Sequence, residues 1–221
     1  TFALAALLAA ALIPALLRTL PRTAPFQGRS GKAAREPLPR RLKPFLFATA
    51  VASALGAGQA NVVGAFTVTM AVQAGFDAAG AGLLLGAASV AGILARPLVG
   101  IAADRGIGGS MATVALMMGA GSLGLLGMAS GFPIAYAAGA VVAFGLGWGW
   151  NGLAHYVVSR TAHPFTIQAT GITQSGTYIG GTLGPLLFGI VFSRFSPAIG
   201  WTLAAVVAAA GAGASLTSND F

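Results

Sequence analysis

From Gly106 to Ser159 the chain contains no aspartate, glutamate, lysine or arginine. No domain that faces water on every side can be built from such a stretch. An ordinary soluble domain has about 25% charged residues; this chain has 7%, with 56% hydrophobic residues and a mean hydropathy of +0.83. The hydrocarbon core of a bilayer is about 30 Å thick and needs about 20 apolar residues per crossing helix, a length that several stretches here meet. The sequence therefore describes an all-α, polytopic membrane protein.

Apolar length and breaker residues place seven spans, at 2–17, 45–73, 81–101, 111–130, 134–158, 167–192 and 198–216. The second is long enough to tilt or to contain a break, for which Gly56, Gly58 and Gly64 supply places. One polar gap is substantial, TLPRTAPFQGRSGKAAREPLPRRLKP. The chain so divides into an extra N-terminal transmembrane helix (1–17), a basic linker (18–44) and a six-helix bundle (45–217). It starts at Thr1 with no basic residue before the first apolar run, which reads as a fragment beginning inside a span and not as a signal peptide.

The net charge of +8 raises the question of a nucleic-acid partner, and the positions of the basic residues answer it. Arg18, Arg22, Arg29, Lys32, Arg35, Arg40, Arg41 and Lys43 all lie in the linker region, and Arg96, Arg105 and Arg160 fall on the same side of the spans. Only Arg194 falls on the other. This is the positive-inside pattern, so the linker is expected in the cytoplasm and nucleic acid is not an expected partner. The chain has no cysteine, hence no disulfide or thiol chemistry. Without a carboxylate pair or a metal-binding cluster, no catalytic, metal or cofactor role is assigned.

Several polar residues sit where lipid-facing residues would be apolar. Gln59 and Asn61 fall near the middle of the second span, where amides are costly without partners. Residues two apart point to opposite sides of a regular helix, so one amide lines a path while the other packs between helices, unless the glycines unwind the segment. Arg96 lies about five residues inside the third span, roughly 7 Å from its end. It can snorkel to the interface, or read an anionic solute through forked hydrogen bonds. In the fifth span Trp148, Asn151 and His155 share one helical face at i, i+3 and i+7, as a cavity wall or as an interfacial aromatic with a structural histidine. The sixth span carries Gly176, Gly180 and Gly184 at four-residue intervals, a ridge for close helix packing, with Gln174 and Tyr178 on a different face.

The layout of one helix, a basic linker and six closely joined helices resembles the second half of a major facilitator superfamily transporter with the last helix of its first half attached. The stretch RPLVGIAADRGIGG adds to the resemblance. The family's loop motif, Gly-x-Leu-Ala-Asp-Arg-x-Gly-Arg-Arg in idealised form, is matched by Gly100, Ala103, Asp104 and Arg105 at the eighth-to-ninth helix junction. Ala102 replaces the leucine, Ile107 the second glycine, and the trailing basic pair is absent. GWGWNGLAHY and GITQSGTYIGGTLGPLLFG are similar to the tenth and eleventh helices of the cyanate-permease-like branch.

The resemblance implies a secondary active transporter of a small solute, such as an organic or inorganic anion, working by alternating access in a bacterial plasma (inner) membrane. It also implies a partner, the missing N-terminal six-helix half. The implied solute path is Gln59, Asn61, Arg96, Trp148, Asn151, His155, Gln174 and Tyr178, and the cytoplasmic gate is Gly100, Asp104 and Arg105. A carboxylate at a helix end is costly unless paired, so Asp104 is expected to seek an arginine or a helix N-terminus. If transport is proton-coupled, the coupling group is either His155 or a carboxylate of the absent half. A non-transporting membrane assembly subunit is the alternative. A retinal photoreceptor is excluded, because Lys32 and Lys43 both lie in the linker region and outside any late span.

Overall fold

The computed structural model describes residues 37–218 together with Ala10 and Pro14. Apart from Ala10 and Pro14, the expected first span at 2–17 and the linker up to residue 36 lie outside the described residues. From Leu42 onward the chain forms six helices: α1 (Leu42–Gln73), α2 (Ala78–Asp104), α3 (Met111–Ala129), α4 (Pro133–Thr161), α5 (Thr166–Arg194) and α6 (Pro197–Thr217). Each is long and apolar enough to cross a membrane, and the protein is a multi-pass helical membrane protein.

The helix ends are set by local chemistry that apolar length does not register. The Asp77 carboxylate accepts from the Gly80 N–H at 2.7 Å and starts α2 three residues before the expected span. Ser110 caps α3 and Ser196 caps α6 in the same way, through the N–H groups of Thr113 and Ile199 at 3.4 and 3.5 Å. Pro133 and Pro197 occupy first-turn positions, where the missing N–H costs nothing. At its far end α2 continues to Asp104, so Arg96 lies eight residues, or about 12 Å, from the helix end instead of the expected 7 Å.

The break allowed for in the second span is not formed: α1 is one continuous helix. Its glycines serve close approach instead of unwinding. A Cβ on Gly56 would strike the Met118 and Trp150 side chains, at 2.5 and 2.6 Å, and one on Gly58 would lie 3.3 Å from the Gly180 carbonyl oxygen.

Within this bundle α1 and α4 are central. α1 packs chiefly on α5 and also on α6, α4 and α2, while α4 packs on α3 and α2. One core cluster gathers Tyr136, Phe144, Phe188 and Trp201; the other gathers Phe45, Met111, Met118 and Trp150. Tyr136 is tied into the first by donating its hydroxyl to the Thr67 carbonyl at 2.9 Å. Burial is uneven. The apolar core of α1 is 61% buried within the bundle, whereas those of α2 and α5 are only 17% buried.

Candidate functional site

Two of the expected path residues, Arg96 and Trp148, meet at the junction of α1, α2 and α4. There Gly64, Leu85, Ser89, Gly92, Ile93, Arg96, Phe144 and Trp148 line a cavity of about 410 Å³, a size typical of small-molecule sites. Trp148 stands next to the midpoint of the 29-residue α4, so the cavity lies near the middle of the membrane span.

Two features of α2 stand at or beside the cavity. A Cβ on Gly92 would lie 3.1 Å from the Phe144 carbonyl oxygen, so glycine lets α2 approach the α4 backbone. Pro97, inside α2, lacks the N–H that would bond the Ile93 carbonyl, which interrupts the hydrogen-bond ladder beside Arg96. The Arg96 guanidinium carbon lies 5.3 Å from the centre of the Trp148 ring, a cation–π contact. Phe144 meets the same indole edge-on, with ring centroids 5.0 Å apart. Ser89 donates its hydroxyl hydrogen to the Leu85 carbonyl at 2.7 Å.

The expected path residues divide. Arg96 and Trp148 meet in the cavity. Gln59 is 2% exposed and turns to the α1–α4 seam, where its Nε2 donates to the Gly147 carbonyl at 2.7 Å while its Oε1 has no partner among the described residues. Asn61 is half-buried and donates to the Ala57 carbonyl of its own helix at 2.9 Å, and a Cβ on Gly181 of α5 would lie 3.2 Å from its Nδ2. Asn151 and His155 continue the Trp148 face of the unbroken α4, half-buried and outside the cavity lining. On α5, Gln174 is half-buried and Tyr178 is 68% exposed. Sequence reasoning missed Phe144, Ser89, Gly64 and Gly92, none of which carries a charge or a recognisable motif.

Gly176, Gly180 and Gly184 press on the α1 backbone at Ala50, Ala54 and Gly58 respectively. Residues four apart on one helix meet residues four apart on the other, a register that keeps the two backbones in contact over two turns. At the end of α2, Gly100, Asp104 and Arg105 are all exposed. No ion pair to Asp104 occurs among the described residues. The turn after it is made by Gly106 and Gly108, with φ of 79° and 70°.

A membrane-crossing bundle with a mid-span, solute-sized cavity is the architecture of a membrane transport protein. A family model for the Major Facilitator Superfamily matches residues 48–218. The chain belongs to that superfamily, a family of membrane transporters of small solutes. No curated protein and no solved structure matches it.

Proposed function

We propose that the chain is the C-terminal half of a secondary transporter that carries a small anion by alternating access. The observation that carries this reading is the Arg96 guanidinium over Trp148 in a mid-membrane cavity. An arginine so placed is costly unless it faces a wet or liganded space, and among the described residues it has no carboxylate partner. In this reading α1 to α6 are helices seven to twelve, and residues 2–17 are the last helix of the other half.

The weakly buried faces of α2 and α5 supply the surface for the N-terminal six-helix half, against which the bundle rocks. Arg40, Arg41, Lys43, Arg105 and Arg160 lie at one end of the bundle, which we place in the cytoplasm of a bacterial inner membrane. Asp104, exposed at that end, latches the gate by pairing with the opposing half in one conformation, with Gly100 and Arg105 completing the motif. Asn61, Gln174, Tyr178, Asn151 and His155 extend the solute path from the cavity, and the α4 and α5 stretches ally the chain with the cyanate-permease-like branch. Where transport is proton-coupled, His155 is the candidate coupling group.

The test is solute uptake by the full-length transporter in proteoliposomes. Arg96→Gln is expected to abolish uptake of anionic solutes while leaving insertion and folding intact. Unchanged uptake of every anionic solute removes Arg96 from the site and the anion reading with it. His155→Ala is expected to flatten the pH dependence of uptake, and an unchanged profile takes His155 out of coupling.

A further inference from the structure

We propose that the cavity selects organic monoanions with a compact apolar body, of the size and character of an aromatic monocarboxylate, and rejects inorganic anions, dianions and polyhydroxylated solutes. The inference rests on the transporter reading, in which the N-terminal half closes the site, and it concerns the preference that this wall sets.

Charge comes first. Among the described residues Arg96 is the single ionisable side chain in the lining. One guanidinium neutralises one negative charge, and a second charge finds no further cation among the described lining residues. Arg96 is held by a ring face, and among the described residues no hydrogen bond from its guanidinium is made. Its N–H donors stay available for the two oxygens of a carboxylate, the geometry that an arginine fork fits best.

The body of the solute meets Leu85, Ile93, Phe144 and the rest of Trp148, all apolar. Gly64 and Gly92 line the cavity without adding a polar side chain. Among the described residues the neutral polar groups of the lining are the Trp148 indole N–H and the Ser89 hydroxyl, whose hydrogen is already given to the Leu85 carbonyl. A sugar-like solute would set the hydroxyls around its ring against Leu85, Ile93 and Phe144, which can answer none of them. Inorganic phosphate and sulfate fail for a related reason, because one fork cannot replace the hydration of all their oxygens. A flat apolar carboxylate leaves nothing unpaired: its charged end takes the fork, and its ring packs edge-to-face with Phe144 and Trp148.

The experiment is equilibrium binding of labelled benzoate to the chain reconstituted in phosphatidylcholine vesicles, with benzamide, phthalate, inorganic phosphate and glucose as competitors. Saturable benzoate binding is expected, with each competitor at least about tenfold weaker than unlabelled benzoate. Arg96→Gln should weaken binding about tenfold or more, Arg96→Lys should fall between, because it keeps the charge and loses the fork, and Trp148→Leu should weaken it about threefold or more. Circular dichroism on each variant reports folding, and Arg96→Lys carries the test if Arg96→Gln does not fold. Equal competition by phosphate or phthalate, the absence of benzoate binding, or binding indifferent to Arg96 overturns the proposal. Failure of the transport reading looks different: benzoate is bound as described, yet the full-length protein moves no solute. Flux of other solutes without benzoate recognition sinks the selectivity alone.

Discussion

Gln59 of α1 reaches across the bundle to donate to the backbone carbonyl of Gly147 in α4 at 2.7 Å, joining the two central helices at the level of the cavity. The bond is made on one side of the amide only, since Oε1 is buried without a partner among the described residues. Removing the donor and the unpartnered acceptor together should therefore cost little, because interhelical hydrogen bonds in membranes average about 0.6 kcal/mol and the orphaned acceptor offsets part of that. Gln59→Leu is expected to shift the thermal unfolding midpoint in detergent only slightly. Gln59→Glu, which keeps the shape and introduces a charge, should cost several times more, on the order of 2–3 kcal/mol. Equal midpoints for the two variants would show that the site is wetter than its burial indicates.

Gly180 of α5 and Gly119 of α3 should respond to alanine with opposite signs. At Gly180 an added Cβ would run into the Ala54 carbonyl oxygen, whereas at Gly119 it would meet nothing within 4 Å. Gly180→Ala is expected to destabilise by about 1–3 kcal/mol, the usual range for overpacking. Gly119→Ala should stabilise by up to about 1 kcal/mol through helix propensity alone. Denaturation of both variants in one detergent checks the contrast, and a neutral Gly180→Ala would show that α5 stands further from α1 than described.

Pro97 interrupts the α2 ladder next to Arg96, at some cost to the helix. Pro97→Ala restores the bond to the Ile93 carbonyl and should raise the unfolding midpoint. If the interruption serves to aim Arg96, the same variant loses solute affinity while gaining stability. Gain of stability with unchanged affinity would make Pro97 an ornament of the helix.

Asp104 is exposed and has no ion pair among the described residues. Asp104→Asn should therefore leave the stability of this bundle within about 0.5 kcal/mol of the parent, as surface changes usually do. Transport by the full-length protein should nonetheless fall, because the latch proposed for Asp104 forms against the other half. A large loss of stability together with retained transport would reverse the assignment.

How much of the molecule was legible in the sequence depends on what each residue does. Six helices could be read because crossing a bilayer imposes a length, and that length is written in uncharged runs such as 111–129. The start of α3 at Met111 was legible, whereas the start of α2 was not, because Asp77 acts through a single backbone contact that hydropathy does not see. The glycines of α1 were ambiguous for a physical reason: glycine permits both an unwound turn and a close backbone approach, and only Trp150 and Gly180 on the opposing helices decide between them. Arg96 and Trp148 were conspicuous by their chemistry, and their contact needed the α2–α4 crossing to be seen. The partner of Gln59 is a main-chain carbonyl, which every residue possesses, so no side-chain pattern could have pointed to Gly147. Phe144 and Gly92 were hidden in the same way among the many apolar residues that only fill space.

Along Gly176, Gly180 and Gly184 the seam between α5 and α1 is main chain against main chain. Side chains that interlock act as gear teeth: one helix can advance past another only by changing rotamers or jumping a whole turn. A seam without teeth is a plain bearing, held by area and offering little resistance to small axial displacement. Along this seam α5 can thus shift by a fraction of a turn against α1 without any interlocked side chain changing its rotamer.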